Sequence, residues 1–134
     1  MGTQAKGIFE VRMTPQAWSE STVEPTLSRF LLEKTFRGDL AATSEGQMLS
    51  AGTAENGSVG YVAIEKVTGT LHGRSGSFIM QHSGIMNRGV PELSIVVVPD
   101  SGTGELAGLA GALTIEIADG KHSYEFTYTL ATIQ

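Results

Sequence analysis

The stretch ALTIEIADGKHSYEFTYTL, residues 112–130, decides the fold class of this chain. Apolar and polar residues alternate on both sides of Asp119-Gly120, a pair that favours the positive φ angles of a two-residue hairpin turn. When the turn is placed there, Ala118 opposes Lys121 and every other pair follows by counting. The apolar face then pairs Leu113, Ile115 and Ile117 with Phe126, Tyr124 and His122. Since the turn alone sets this register, the agreement predicts an antiparallel β-hairpin.

A second hairpin is predicted in GYVAIEKVTGTLHGRSGSFIMQHSGIM, residues 60–86. The cluster Gly73-Arg74-Ser75-Gly76 is typical of a turn, which we centre on Arg74-Ser75. One face of this hairpin is the more apolar and aromatic, and we expect it to face the interior. It carries Tyr61, Ala63, Glu65, Val67 and Leu71 opposite Phe78, Met80 and His82.

Alternation with a period of two recurs along the whole chain, and no long segment has the 3.6-residue period of a helix. Together with the two hairpins, four further strand candidates bring the count to eight: residues 5–13, 28–37, 40–49 and 91–99. The longest connection is expected at residues 14–26, which include Trp18. Eight short strands with glycine at the corners predict an all-β single domain over residues 1–134, built as an eight-stranded antiparallel barrel. A two-sheet β-sandwich is the alternative.

The composition excludes several classes of function. The net charge is −5 with only nine basic residues, which argues against a nucleic-acid partner. No apolar run approaches the length of a membrane span, and the first residues lack the apolar core of a signal peptide, so we expect no membrane association and a cytoplasmic protein. The absence of cysteine excludes disulfides and thiolate chemistry. The three histidines have no ligand spacing, so we expect no metal site.

The segment VVVPDSGTGELAGLAG, residues 96–111, fits the loose spelling G-x-G-x-x-G/A of a dinucleotide-binding turn. Such a turn requires a helix directly after it, because the helix N-terminus holds the pyrophosphate. Here the next residues, from Ala112 to Ile117, read as a strand. We therefore predict no nucleotide or other cofactor, and interpret the glycines as a tight crossover in which backbone approaches backbone.

Three segments together resemble a family of small bacterial proteins of unknown function: GYVAIEKVTGTLHGRSGSFIMQHSG, VVPDSGTGELAGLAG and HSYEFTYTL. That family is related in fold to the barrels of allene oxide cyclase and dirigent proteins, and the resemblance covers roughly residues 5 to 130. It implies an eight-stranded antiparallel barrel whose interior binds a largely apolar small molecule. The catalytic residues of the cyclase and dirigent proteins do not align with this sequence, so no role is carried over.

Glu65 and His82 are the candidate catalytic residues. In the predicted register His82 opposes Val67, and Glu65 lies one diagonal step away, within reach of a long side chain. A carboxylate and an imidazole on an apolar wall could serve as general acid and base for isomerising or cyclising a ligand. The alternatives are a pair that contacts a ligand without chemistry, or a structural pair that closes one end of the barrel.

Three functions from different classes remain open. The first, which we favour, is a binding module for a small, largely apolar molecule. The second is a cofactor-free cyclase or isomerase that uses Glu65 and His82. The third is a filled barrel that acts through its surface as a homo-oligomer, with strand 91–99 as the contact because it is apolar on both faces. The predicted ligand-binding residues are Tyr61, Val67, Phe78, Met80, Tyr124, Phe126 and Tyr128.

Overall fold

Strands make up most of the chain in the computed structural model, which describes residues 2–16, 27–53, 55 and 57–130. In the described residues the strands are β1 (Thr3–Gln16), β2 (Leu27–Gly38), β3 (Leu40–Gly52), β4 (Val59–Leu71), β5 (Arg74–Asn87), β6 (Val90–Val97), β7 (Leu109–Ala118) and β8 (Lys121–Leu130). They form a closed antiparallel barrel in chain order, as predicted, and not a sandwich. The expected connection at 14–26 begins later, because β1 runs to Gln16, and Trp18 lies outside the described residues.

Closure of the barrel depends on the pairing of the first and last strands. Strand β1 pairs with β2 along one side and with β8 along the other, from Thr3 opposite Tyr128 to Phe9 opposite His122. The seam between β6 and β7 is the shortest in register, with Val96 opposite Ala112. A closed sheet leaves few unpaired backbone groups at an edge. Every second side chain therefore points into the barrel, and this alternation places the candidate site.

The β7–β8 hairpin has the predicted register. Ala118 opposes Lys121, and Leu113 opposes Phe126. Asp119 and Gly120 both have positive φ, 52° and 75°, which is the geometry of a type I′ turn. The alternation around one Asp-Gly pair was therefore sufficient to fix this part of the barrel.

The β4–β5 hairpin turns two residues earlier than predicted. The turn is His72-Gly73, with φ of 48° and 80°, whereas Arg74 and Ser75 begin β5. His82 consequently opposes Ala63 and not Val67, and Glu65 opposes Met80. The tertiary structure favours this turn because the His72 amide donates a hydrogen bond to the Asp39 carbonyl oxygen at 2.8 Å. The pairing moves by four residues, an even number, so the predicted inward face is retained.

One end of the barrel is filled by its own side chains. We call it the closed end; it is the end at which β1 begins and β6 ends. The Phe78 and Phe126 rings stack there with centroids 5.8 Å apart. The β6–β7 crossover runs along the start of β5 and contains a single 3₁₀ turn, Gly104–Leu106, whose Leu106 side chain is buried. This crossover fits tightly, because a Cβ at Gly102 would lie 1.9 Å from the Leu106 carbonyl oxygen.

Tyr124 fastens the β2–β3 turn to the last strand. Its hydroxyl accepts a hydrogen bond from the Leu40 amide at 2.9 Å and donates to the Arg37 carbonyl oxygen at 2.9 Å. Gly7 of β1 lies against this corner, where an added Cβ would stand 1.9 Å from the Arg37 oxygen and 2.5 Å from the Tyr124 hydroxyl. The closed end therefore requires glycine at position 7.

We expect Gly7→Ala to lower the free energy of unfolding by about 1–3 kcal/mol, because the added methyl group overpacks against backbone that cannot withdraw. Gly60→Ala is the matched control, since nothing lies within 4 Å of the corresponding Cβ position. It should be neutral or slightly stabilising through the unfolded state. Urea unfolding curves measure both variants, and equal stabilities would contradict the close approach.

Candidate functional site

Four polar side chains point into the barrel from four neighbouring strands. We call Lys34 of β2, Ser44 of β3, Glu65 of β4 and His82 of β5 the polar cluster; all four are buried. Lys34 opposes Ser44 directly. On β4 the residue opposite Ser44 is Val67, and Glu65 lies two positions from it. On β5 the residue opposite Glu65 is Met80, and His82 lies two positions from it. The stagger of the strands in a barrel brings such positions to the same level. The alternation of β4 and β5 fixes the inward direction of Glu65 and His82.

Two donors share one oxygen of Glu65. Lys34 Nζ donates to Glu65 Oε2 at 2.8 Å, and His82 Nε2 is hydrogen-bonded to the same oxygen. Since an ionised carboxylate can only accept, His82 carries a proton on Nε2. The Lys34 ammonium group also lies 5.2 Å from the centroid of the Phe9 ring, an arrangement in which the ring face stabilises the cation.

The polar cluster holds Glu65 as an anion. Burial alone would raise the pKa of this carboxyl, but the hydrogen bond from His82 and the positive charge of Lys34 outweigh it. Together they lower the pKa of Glu65 from 4.5 to about 2. Burial raises the pKa of Tyr61, which lies nearby on β4, and the negative charge of Glu65 raises it further.

Two oxygens of the polar cluster are left without a partner. Among the described residues, Glu65 Oε1 and Ser44 Oγ are the buried side-chain polar atoms that make no hydrogen bond. Buried polar groups are nearly always hydrogen-bonded, so each exception requires an explanation. These two atoms lie on adjacent strands, so the incompletely paired side of the polar cluster is the one formed by β3 and β4.

At the end of the barrel opposite the closed end, inward-facing apolar side chains are left exposed. We call this end the mouth; β1 ends there and β8 begins there. Met13 faces the same side as buried Leu32, its cross-strand partner, yet it is 45% exposed. Leu93 is 44% exposed and Ile117 is 65% exposed, although the register turns both inward. Phe30, Met48 and Tyr61 complete this level and are partly buried.

The structure places the predicted site residues in four different environments. It brings Glu65 and His82 into contact, and it places Tyr61 at the mouth. The hydroxyl of Tyr128 is hydrogen-bonded to His72 Nδ1 at 2.5 Å, and that of Tyr124 is used in the β2–β3 corner. The remaining predicted ligand-binding residues are fully buried in the packed interior: Val67, Phe78, Met80 and Phe126.

Sequence reasoning missed Lys34 and Ser44. A signal for Lys34 was present, because in FLLEKTF, residues 30–36, it is the only charged residue in the alternating set that includes Phe30, Leu32 and Phe36. Ser44 carries no comparable signal, since serine is common on both faces of strands. The mouth residues Met13 and Met48 were also missed, because an exposed inward side chain cannot be recognised without the third dimension.

The described part of the chain contains neither a cluster of metal-ligating side chains nor a membrane-spanning helix. Residues 2–16, 27–53, 55 and 57–130 contain no group of three or more His, Asp or Glu side chains that could hold a metal ion. No helix in these residues is long and apolar enough to cross a membrane.

Comparison with known proteins places the chain in a family. Residues 5–128 match the family described as Protein of unknown function (DUF3224). The chain belongs to the DUF3224 family. A crystal structure of a DUF3224 protein of unknown function from Shewanella oneidensis MR-1 is 48% identical, covers 99% of this chain and 100% of that chain, and superposes with a TM-score of 0.93. No curated protein matches the chain. DUF3224 membership therefore agrees with the fold and leaves the activity to be argued from the site.

We expect Glu65 to give the protein a specific sensitivity to acid. Because its folded pKa is lowered, its contribution to stability is complete above pH 4.5 and is lost as the pH falls toward 2. The difference between 4.5 and about 2 corresponds to about 3 kcal/mol of folding free energy. Urea unfolding between pH 7 and pH 2.5 should therefore show a steeper loss of stability for the wild type than for Glu65→Gln.

Glu125→Gln is the control for this experiment, because Glu125 is an exposed carboxylate whose ion-pair partner, Lys6, is also exposed. It should keep the acid dependence of the wild type. If Glu65→Gln also kept it, Glu65 would not be the ionised centre of the polar cluster.

Proposed function

We propose that the protein binds a small, largely apolar molecule at the mouth of the barrel, above the polar cluster. The observation that carries this proposal is the exposure of inward-facing apolar residues at one end only. Met13, Leu93 and Ile117 are each more than 40% exposed, whereas large inward-facing apolar residues of the closed end are buried, among them Leu40, Leu71 and Phe78. Apolar surface of this kind is stabilised when a ligand removes it from water. Mouths of β-barrels are a common position for such sites.

The composition of the mouth supports a ligand of variable shape. Met13 and Met48 belong to the mouth, and Met86 faces inward from β5 at the same end. Methionine is flexible and polarisable, and it adapts to irregular apolar partners better than branched side chains do. In this proposal Val67 and Phe126 support the site from below, and Tyr61 is the predicted ligand-binding residue that contacts the molecule.

The geometry favours binding over catalysis. A general base works best when its pKa lies near the working pH, and a Glu65 carboxyl with a pKa of about 2 is a weak base. Its Oε2 is also occupied by Lys34 and His82. The cyclase or isomerase alternative, suggested by the resemblance to allene oxide cyclase-like barrels, therefore has less support than a site that orients a ligand.

Self-association is a second candidate, favoured by the outer surface of the barrel. Val62, Ile85 and Val96 point outward from β4, β5 and β6 and are 40% exposed or more. In this candidate the self-association surface predicted on strand 91–99 also includes β4 and β5. Sedimentation velocity tests it: a dimer that dissociates in Val62→Arg would support the candidate, and a monomeric wild type would contradict it.

We expect N-phenyl-1-naphthylamine, a neutral apolar fluorescent probe, to bind the protein saturably. Leu93→Gln should weaken its affinity about tenfold, because apolar contact at the mouth is lost. Ile85→Gln is the matched control: Ile85 lies on the adjacent strand with 59% exposure but faces outward. Fluorescence titration measures all three proteins. If Ile85→Gln weakened binding and Leu93→Gln did not, the probe site would lie outside the barrel and the proposal would be wrong.

A further inference from the structure

We infer that the seam between β6 and β7 binds an extended segment of a partner protein. The segment adds as a strand to the free edge of β7, and in it basic residues alternate with apolar ones. This inference goes beyond the proposed function, because it concerns the backbone at the side of the barrel and a protein partner. The evidence lies in the pairing of the seam, in the direction of its backbone groups and in its charges.

The seam opens toward the mouth. In the described part of the chain, Val96 and Ala112 are the only opposed pair that β6 and β7 share, although both strands run on toward the mouth. Beside this pair Ile95 is buried, whereas further along the seam Leu93 is 44% exposed and Ile117 is 65% exposed. The two strands therefore diverge, and each keeps an unpaired edge.

The edge of β6 lacks a hydrogen-bond donor. The Val98 amide donates to the Ile79 carbonyl oxygen of β5 at 2.8 Å. Hydrogen-bonded residues alternate along an antiparallel ladder, so Leu93 and Pro91 direct their backbone groups toward the seam. Proline has no N–H group, and within sheets it is confined to positions such as edges. Strand β6 therefore cannot form a complete ladder with β7.

The edge of β7 is complete. Ala118 and Lys121 are the pair that closes the two-residue hairpin, so the alternation directs the backbone groups of Glu116 to β8. Its neighbours Ile115 and Ile117 direct their amide and carbonyl groups toward the seam. An extended segment can pair with these groups, which is the basis of recognition by strand addition.

The charges of the seam indicate which segment fits. If the register of the Val96 pair continued, Glu92 would stand directly opposite Glu116 on the outer face. Like charges in this position destabilise a strand pair. No ion pair of the described residues includes either carboxylate. A basic residue on the outer face of an added strand would meet both charges, and its apolar neighbours would cover Ile117 on the inner face.

Hydrogen exchange of the free protein tests whether the edge is open. We expect the amides of Ile115 and Ile117 to exchange at least about tenfold faster than those of Thr114 and Glu116, which bond to β8. Equal protection of all four amides would show a closed seam and overturn the inference. Protection of Ile115 and Ile117 that rises with protein concentration would assign the edge to a second copy of the chain and would also overturn it.

The binding test uses a capped heptapeptide in which lysine alternates with valine. Saturation with this peptide should slow exchange of the Ile115 and Ile117 amides at least about tenfold, because they gain backbone acceptors. A peptide with glutamate in place of each lysine should bind at least about tenfold more weakly. The lysine peptide methylated on its valine nitrogens should be weakened to a similar extent, because it keeps its charge and loses backbone donors. Absence of binding by the lysine peptide, or equal binding of either control peptide, would overturn the inference.

Glu116→Gln should weaken binding of the lysine peptide about threefold, because one of the two carboxylates at the seam is lost. Glu45→Gln is the matched control, since Glu45 is also exposed on the outer face of a strand but lies on β3, away from the seam. It should bind the peptide as the wild type does. If both variants weakened binding equally, the overall negative charge of the protein would hold the peptide, and the inference would be wrong.

Discussion

Burial of the Glu65 carboxylate is the interaction on which the arrangement of the site depends. In a closed barrel a side chain points either inward or outward, and Glu65 stands between Ala63 and Val67, which are both buried in the interior. Turning Glu65 outward would turn these two residues outward as well. An isolated carboxylate in such a position would cost several kcal/mol. The fold offsets this cost with Lys34 and His82, which lie on strands on either side of β4.

The polar cluster divides the interior into two regions of different character. Below it, aromatic rings such as Phe78 and Phe126 stack and fill the barrel. Above it, apolar side chains such as Met13 and Leu93 face inward but remain in contact with water. A barrel of eight strands is just wide enough either to be filled or to hold one small molecule. In this protein one end of the barrel is filled by side chains and the other exposes inward-facing apolar residues, and the polar cluster lies between them.

Much of the fold could be predicted because its information is local. The β7–β8 register follows from one Asp-Gly pair and the alternation around it. The β4–β5 partners were wrong because the cluster from Gly73 to Gly76 favours a turn by composition, whereas the turn is formed by His72 and Gly73. The inward face was still correct, and with it the juxtaposition of Glu65 and His82, because the error was an even number of residues. An odd error would have placed the two residues on opposite faces of the sheet.

By itself, the sequence determined the number of strands, the inward faces of the two hairpins and the proximity of one acid and one histidine, and it favoured a barrel over a sandwich. Only the tertiary structure decided the third member of that cluster, because Lys34 reaches Glu65 across β3 through the register of two successive strand pairs. It also decided which end of the barrel is filled. That depends on how the strand stagger and the β6–β7 crossover distribute side-chain volume along the axis, and the period of two in the sequence carries no information about this.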